Sequence, residues 1–359
     1  MSVMTSAALA GPPSTTRTVV LEKIDTGGYR WKITRASVQE VGDRQVLVRV
    51  RAVALNRLDL DELEPSSGAD KSGRVPGYDA AGDVVAVGKQ VQDFRLGMRV
   101  TSLYFENWVD GRFNAKVLER VRGSTIDGVL SDYVVFEETS LVPMPERLSY
   151  EEAATLPTAG LTAWTAVTAD RPLKPDDIVL VQGTGGVSTF ALQFAANLGA
   201  HVIVTSSSDD KIRRARSLGA REGINCRVQP AWADAVLELT QRHGADLVVD
   251  IGGKDTLEQS LKSVADDGSI SLVGGLTGYD GDLPSLGLIL THAGGLILKH
   301  ARANGIFVGS RADYLRMSDF VVKHRVRPVI EKVYSLDQYE AALEHLASND
   351  FVGKIVLKL

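Results

Sequence analysis

The sequence has very few metal-binding side chains in its first half. Residues 1–200 contain neither cysteine nor histidine, and Cys226 is the only cysteine of the chain. A single cysteine excludes an internal disulfide. Zinc sites in proteins are built on thiolate or imidazole ligands, so a four-cysteine structural zinc is excluded and we expect no catalytic zinc. We interpret His292 and His300, beside Gly294 and Gly295, as loop or surface residues and not as ligands.

Long apolar runs and an excess of positive charge are also missing. No segment approaches the length of a membrane span. The net charge of −5 argues against nucleic acid or an anionic membrane as a partner. Residues 1–16 contain no lysine or arginine and no sustained apolar core, which fails the criteria for a secretory signal. We therefore predict a flexible tail over 1–16 and a cytoplasmic protein.

The most informative segment runs from residue 179 to residue 205. It contains a continuous apolar strand (179–182), a glycine turn, an apolar-faced helix and a second apolar strand (201–205). The turn consists of Gly183, Thr184, Gly185, Gly186 and Val187, followed by Ser188 where the usual fingerprint has a third glycine. Glycine lets the backbone approach a pyrophosphate, and the first N–H groups of the helix point at it. The segment predicts a dinucleotide site.

The 359 residues are enough for two domains, and the pattern changes once along the chain. Residues 17 to about 155 alternate short strands with glycine and proline turns. From about 160, helices alternate with continuous apolar strands near 178–181, 201–205, 247–251, 269–273 and 305–308, which is typical of a covered parallel sheet. Ser335 and Gln338 form a capping box for a helix to about 348, and a closing strand follows at 353–359.

Several motifs resemble the medium-chain dehydrogenase/reductase superfamily. They are VPGYDAAGDVVAVG at 75–88, AATLPTAGLTAW at 153–164, the glycine turn, and Gly353-Lys354-Ile355. The nearest branch is the zinc-independent one that includes quinone oxidoreductases and enoyl reductases. The resemblance implies an α/β fold in which a GroES-like β-rich catalytic domain (17–160 and 311–359) joins a Rossmann domain with a doubly wound parallel sheet (161–310). It also implies an active site in the cleft between them, and a homodimer paired near 296–309.

The resemblance places Asn56, Tyr78 and Thr158 where zinc-bearing relatives carry their ligands. Without a metal, hydrogen-bond donors must polarise the substrate carbonyl, and these three are the candidates. The alternatives are that Asn56 caps a turn and that Tyr78 packs inside the β-rich domain. Trp108 and Phe113, in an aromatic-rich loop, either line the substrate pocket or pack on their own domain or on a partner chain.

The second apolar strand ends in Ser206, Ser207 and Ser208, without the acidic residue that holds the ribose diol of NAD. These small hydroxyls leave room for a 2′-phosphate, and Lys211 and Arg214 follow on the next helix, so we predict NADP(H). Alternatively, Ser208 is an N-cap, and Asp209 and Asp210 suit the helix dipole. The further residues assigned to the cofactor are Asn225, Gly274, Leu276, Gly309 and Ser310. Cys226 stands where relatives often have tyrosine, which is a departure from the family pattern.

Together these features predict a zinc-independent, NADPH-dependent oxidoreductase acting on an enone or a quinone. One alternative is an NADP-dependent ketone or aldehyde reductase, or an alcohol dehydrogenase. The other is an NADPH-binding structural or regulatory protein without turnover, which is favoured by the lack of a strong acid or base in the first domain.

Overall fold

The computed structural model describes residues 12–25, 27–65, 70–276 and 295–359. The first half is mainly strands: β1 (Thr15–Lys23), β2 (Tyr29–Ser37), β3 (Gln45–Ala54), α1 (Arg57–Asp61), β4 (Asp79–Val87), β5 (Arg99–Ser102), β6 (Tyr133–Glu137), β7 (Leu141–Pro143) and α2 (Tyr150–Ala154). A π-helical turn, Leu156–Gly160, leads into α3 (Leu161–Thr168). Such turns are rare and are frequent at functional sites.

Helices and strands then alternate. The elements are β8 (Ile178–Gln182), α4 (Gly186–Asn197), β9 (His201–Ser206), α5 (Asp209–Ser217), β10 (Glu222–Asn225), α6 (Trp232–Leu239), β11 (Ala245–Asp250), α7 (Leu257–Ser263), β12 (Val264–Leu272), α8 (Leu296–Lys299), β13 (Arg302–Gly305) and α9 (Arg311–His324). The chain ends with β14 (Ile330–Ser335), α10 (Tyr339–Ser348) and β15 (Lys354–Lys358).

Two larger sheets organise the described residues. One is parallel, with strand order β10-β9-β8-β11-β12-β13. This is the Rossmann order, which places ligands at the carboxyl ends of the strands where the order reverses, between β8 and β11. The other is a mixed sheet of order β14-β15-β3-β4-β5-β7, with β6 paired to β3. Because β15 pairs with β3, the end of the chain returns to the β-rich half.

Helix α4 shows why the apolar periodicity predicts this packing. Phe190, Ala191, Phe194 and Ala195 are at most 1% exposed and belong to the core around the parallel sheet. The capping box of Ser335 and Gln338 forms as predicted, just before α10. None of the described helices is long and apolar enough to cross a bilayer.

The strand predicted at 305–308 is wrong in position. The last parallel strand is Arg302–Gly305, and its pairing stops where Gly305 meets Leu272, the final residue of β12. Ile306 still donates its N–H to Leu272, but residues 307 and 308 leave the sheet, and Val308 has a φ of 54°. Their apolar character reflects packing at the junction of the two halves, since Phe307 contacts aromatic rings of the first half.

Candidate active site

The glycine turn has the geometry of a pyrophosphate site. Gly183 has a φ of 71° and donates its N–H to Thr205, which ties the turn to β9. Helix α4 begins at Gly186, and its N-cap, Gly185, supplies no side-chain cap. A Cβ at Gly185 would meet no atom within 4 Å, so a ligand can approach the backbone there. The N–H groups of the first helical turn, which have no partner within the helix, fit the phosphates of a dinucleotide.

Ser188 explains how the turn tolerates the loss of the third glycine. Its side chain is fully buried, and its hydroxyl donates to the carbonyl of Gln182 at 2.7 Å. The hydroxyl is therefore satisfied inside the strand–helix packing, where the third glycine normally allows close approach. The departure therefore lies on the packed side of the turn, whereas the open space is at Gly185.

The turn also touches the C-terminal segment of the chain directly. Gly353 donates its N–H to the carbonyl of Thr184 at 2.9 Å. A Cβ at Gly186 would lie 2.5 Å from Cδ of Lys354, so this position requires glycine because the lysine side chain occupies the space. Lys354 thus links the phosphate turn to the β-rich half.

Asn56 and Thr158, two of the three predicted catalytic residues, meet at a carboxylate that sequence reasoning missed. Asn56 Nδ2 donates to Asp79 Oδ2 at 2.9 Å, and Thr158 Oγ1 donates to Asp79 Oδ1 at 2.6 Å. Asp79 begins β4, directly after Tyr78, and is fully buried. Its position inside the motif at 75–88 was the available signal.

Lys354 fixes the amide of Asn56. Its ammonium donates to Asn56 Oδ1 at 2.6 Å and to the carbonyl of Leu55. The nitrogen of the same amide, Nδ2, donates to Asp79 and, at 3.4 Å, to the carbonyl of Ala54. Both amide hydrogens are therefore engaged, as is the hydroxyl hydrogen of Thr158. In this arrangement the two residues hold Asp79, and neither keeps a spare donor for a ligand.

Asp59 adds a second buried carboxyl to the group. It is fully buried, and its Oδ2 accepts the backbone N–H of Asn56, the N-cap of α1, at 2.7 Å. Desolvation raises the pKa of Asp59 to about 7. Burial also raises the pKa of Asp79 and lowers that of Lys354. When Asp59 is protonated, Asp79 and Lys354 remain as one negative and one positive charge, which limits the cost of burying charge.

Tyr78, the third predicted catalytic residue, is 1% exposed. Its hydroxyl donates to Glu62 Oε1 at 3.2 Å, and Lys71 pairs with the other oxygen of that carboxylate at 3.1 Å. Its ring stacks on Tyr104 with centroids 5.5 Å apart. Burial and the nearby carboxylates raise the pKa of Tyr78, so the phenol stays protonated.

At the adenosine end, the predicted side chains lie together but the cations already have protein partners. Ser206 ends β9, and Ser208 is the N-cap of α5 without a side-chain cap bond. Asn225 Nδ2 donates to Asp209 at 2.8 Å. Lys211 donates to the carbonyl of Asn349 at 2.7 Å and pairs with Asp350 at 3.3 Å.

Arg214 pairs with Glu331 at 2.6 Å and does not face the serines. Lys211 and Arg214, the two cations predicted to approach the cofactor, therefore both contact the C-terminal segment. Cys226 is half-buried beyond β10, and burial raises the pKa of its thiol.

The residues predicted at the nicotinamide end follow strands β12 and β13. Leu276 is 49% exposed and donates its N–H to Ile251, and Gly274 faces the same carbonyl. Gly309 packs on Leu161 and Thr165 of α3. The hydroxyl of Ser310 is occupied by Asp313 in the capping box of α9. These positions lie at the same edge of the parallel sheet as the glycine turn.

Trp108 and Phe113 lie in an aromatic cluster that joins the two halves. Trp108 packs edge-on against Phe105 and Phe113, with centroids 5.7 and 5.4 Å apart. Phe307, from the parallel-sheet half, packs on Phe105 at 5.3 Å. The carbonyl of Trp108 accepts the N–H of Arg311 at the start of α9. Phe113 is 45% exposed and presents an apolar face at this junction.

Zinc does not match the donors at the three predicted catalytic positions. Asn56, Tyr78 and Thr158 offer no thiolate and no imidazole. Across the described ranges, no group of three or more His, Cys, Asp or Glu side chains is arranged to hold a metal ion. His300 is exposed and pairs with Asp267; His292 lies outside the described residues.

Comparisons with known proteins agree with this architecture. Residues 42–146 match the family model described as the alcohol dehydrogenase GroES-like domain, and residues 186–323 match the zinc-binding dehydrogenase model. A zinc-type alcohol dehydrogenase-like protein of Schizosaccharomyces pombe is 39% identical over 326 residues, which cover 89% of this chain and 92% of that protein.

Two solved structures extend the likeness to the whole fold. A protein from Sinorhizobium meliloti 1021, provisionally described as an alcohol dehydrogenase, is 39% identical with a TM-score of 0.88, covering 97% of this chain and 100% of its own. An NAD-dependent alcohol dehydrogenase is 31% identical with a TM-score of 0.81, covering 96% and 99%.

Proposed function

Because the chain belongs to the medium-chain dehydrogenase/reductase superfamily and is an alcohol dehydrogenase-like oxidoreductase, we propose that it is a zinc-independent, NADPH-dependent reductase of enones or quinones. The observation that carries the proposal is the cluster of Asn56, Asp79 and Thr158. It occupies the place where the resemblance locates zinc ligands, and its donors are an amide, a hydroxyl and a carboxylate.

The chemistry follows from what the chain's residues hold in place. A bound nicotinamide nucleotide would supply the hydride. The start of α4 binds its pyrophosphate through free N–H groups, and Lys354 keeps that turn in contact with the catalytic cluster. Conjugated acceptors suit a metal-free site, because the negative charge that follows hydride attack spreads away from the attacked carbon and needs only hydrogen-bond donors for stabilisation.

The product of a single assay tests the reaction. The purified protein is incubated with NADPH and 2-cyclohexen-1-one, and the products are separated by gas chromatography. The proposal predicts cyclohexanone. 2-Cyclohexen-1-ol would instead support a carbonyl reductase or alcohol dehydrogenase, the second candidate, which the name of the 31%-identical structure favours. Nucleotide binding without oxidation across enones, quinones, ketones and aldehydes would overturn both enzymatic proposals.

The preference for NADPH rests on the serines that end β9 and on the missing acid there. Lys211 would have to exchange its bond to Asn349 for the 2′-phosphate. Fluorescence titration with NADPH and NADH tests this preference, and Ser206→Asp is the informative variant. A carboxylate at that position would repel the phosphate and accept the ribose hydroxyls, so the preference should move to NADH. Equal affinities in the unmodified protein would contradict the NADPH assignment.

We also propose that two copies pair through the edge of the parallel sheet. Strand β13 is the last in the order, and Ile297 and Leu298 beside it are 61% and 66% exposed. Exposed backbone groups on an edge strand favour pairing with a second chain. Light scattering of the purified protein checks the dimer, and Leu298→Lys should shift it toward monomer.

A further inference from the structure

Among the described residues, Tyr104 combines a buried ring with a hydroxyl that no protein group binds. It lies just beyond β5 and is 4% exposed. Its ring is held by Tyr78, which stacks on it, and by Phe105 and Phe307, which pack edge-on with centroids 4.7 and 5.8 Å away. Within the described ranges its hydroxyl has no hydrogen-bond partner, yet it is not one of the fully enclosed polar atoms.

The other buried phenols nearby are different. Tyr78 donates to Glu62, and the hydroxyl of Tyr314 shares a hydrogen bond of 2.8 Å with Thr101. The hydroxyl of Tyr104 has no protein partner but is open to solvent, so water can bond to it when no ligand is bound. A ligand oxygen that enters the site can take the place of that water.

Tyr104 lies between the catalytic cluster and the parallel-sheet half. Burial raises the pKa of Tyr104, and the charges of Asp79, Glu62 and Asp59 raise it further. The phenol is therefore protonated and can donate. On its other side, Phe307 is two residues before Gly309, in the segment assigned to the nicotinamide.

The donors predicted from sequence do not compete for this role. The amide hydrogens of Asn56 and the hydroxyl hydrogen of Thr158 go to protein oxygens, and Asp79 receives one from each. Among the described residues of this cluster, the hydroxyl of Tyr104 is the donor whose hydrogen has no protein acceptor.

We propose that the hydroxyl of Tyr104 donates a hydrogen bond to the carbonyl oxygen of the acceptor. The inference rests on the proposed function. When hydride from NADPH forms the new C–H bond at the β-carbon, the C=C pair moves to the bond between the α-carbon and the carbonyl carbon, and the C=O pair moves to oxygen. Tyr104 stabilises that enolate oxygen while keeping its proton. A proton from water then bonds to the α-carbon and restores the carbonyl, giving the saturated ketone and NADP⁺.

The test compares Tyr104→Phe with Tyr314→Phe, a matched loss of one buried phenol hydroxyl. With NADPH and 2-cyclohexen-1-one, Tyr104→Phe should lower kcat by about 10²-fold, the scale of losing one oxyanion donor. Tyr314→Phe should retain kcat within about threefold, since its hydroxyl bonds inside the protein. Both variants should bind NADPH as the unmodified protein does.

Infrared spectroscopy tests the same hydrogen bond without measuring turnover. The infrared carbonyl stretch of ¹³C-labelled 2-cyclohexen-1-one is recorded in the complex with NADP⁺. Donation from Tyr104 lowers this frequency, so Tyr104→Phe should raise it and Tyr314→Phe should leave it unchanged. Replacing Tyr104 by 3-fluorotyrosine, which keeps the shape and strengthens the donor, should lower it further.

The outcomes separate the two proposals. An unmodified protein that reduces the enone, with unchanged kcat and carbonyl frequency in Tyr104→Phe, overturns the role of Tyr104 and leaves the proposed function standing. An unmodified protein that binds NADPH but reduces no acceptor overturns the proposed function and this inference with it. A frequency that does not respond to 3-fluorotyrosine also contradicts the hydrogen bond, even if Tyr104→Phe folds poorly.

Discussion

In the proposed site, the phosphate end comes from one short segment of chain, whereas the catalytic end is assembled from segments far apart in sequence. The turn at 183–186 uses backbone N–H groups and open space. The catalytic end brings together Asn56, Asp79, Thr158 and Lys354, with side chains that are at least nine-tenths buried. A site made of backbone groups can be predicted from a short segment of sequence, whereas a side-chain network depends on the whole fold.

The largest effect should come from removing the cation of the catalytic end. Lys354→Met leaves Asp79 buried without its counter-charge, and we expect a loss of about 3–5 kcal/mol in the free energy of unfolding. Urea unfolding measures it, with Lys358→Met, at the exposed end of β15, as the control. The double variant with Asp79→Asn should recover part of the loss. Equal stabilities for the two lysine variants would show that Lys354 does not balance the charge of Asp79.

Asp59 makes the catalytic end sensitive to pH. Its folded pKa of about 7 lies above the ordinary value of 3.8, so the folded protein binds this proton more tightly than the unfolded chain. The contribution of Asp59 to stability is therefore fully present below about pH 4 and is lost as pH rises toward 7.

Between these values the unfolding free energy of the unmodified protein should fall relative to that of Asp59→Asn, by at most about 1.4 kcal/mol per pH unit. Asparagine still offers an oxygen to the N–H of Asn56. Parallel stability curves across pH 4 to 7 would show that Asp59 is ionised throughout.

Substitutions at two adjacent glycines of the phosphate end should affect different properties, protein stability at Gly186 and nucleotide affinity at Gly185. Gly186→Ala pushes a Cβ against Lys354, so we expect a loss of about 1–3 kcal/mol in stability. Gly185→Ala meets open space at a φ of −74°, so stability should hold while nucleotide affinity falls about tenfold. Thermal unfolding and NADPH titration on both variants check the contrast. Reduced stability in Gly185→Ala would show that its open space is a packing contact.

The smallest effect is expected at Arg214. Its pair with Glu331 is exposed enough that Arg214→Gln should cost less than about 1 kcal/mol. Because the guanidinium faces Glu331, NADPH affinity should be unchanged, whereas Lys211→Gln should weaken NADPH more than NADH. A selective loss of NADPH binding in Arg214→Gln would place this arginine on the 2′-phosphate.

The parts of the molecule that were predictable are those with local signatures. Periodicity located the strands around the glycine turn and the face of α4, and motif order identified the two-part fold. The last parallel strand was misplaced because residues 306–308 are apolar for packing at the junction, which periodicity cannot distinguish from a strand. Asp79 and Lys354 were missed because neither stands out until β4 and β15 lie beside Asn56.

The same limit applies to the cations of α5. Sequence spacing predicts that Lys211 and Arg214 lie near the serines. It does not predict their actual partners, which are a carbonyl and two carboxylates of the C-terminal segment. Tyr104 lies in the same aromatic-rich stretch as Trp108 and Phe113. Its sequence position does not show that its hydroxyl is free, which follows only from the hydrogen bonds that occupy the donors of Asn56, Tyr78 and Thr158.

The central claim is that the catalytic end works without zinc, although the named relatives include a zinc-type protein. The direct measurement is the zinc content of the purified protein by mass spectrometry, together with NADPH-dependent reduction of 2-cyclohexen-1-one before and after dialysis against a chelator. The account predicts zinc far below one per chain and unchanged activity. Stoichiometric zinc, with activity lost on chelation and restored by Zn²⁺, would contradict it.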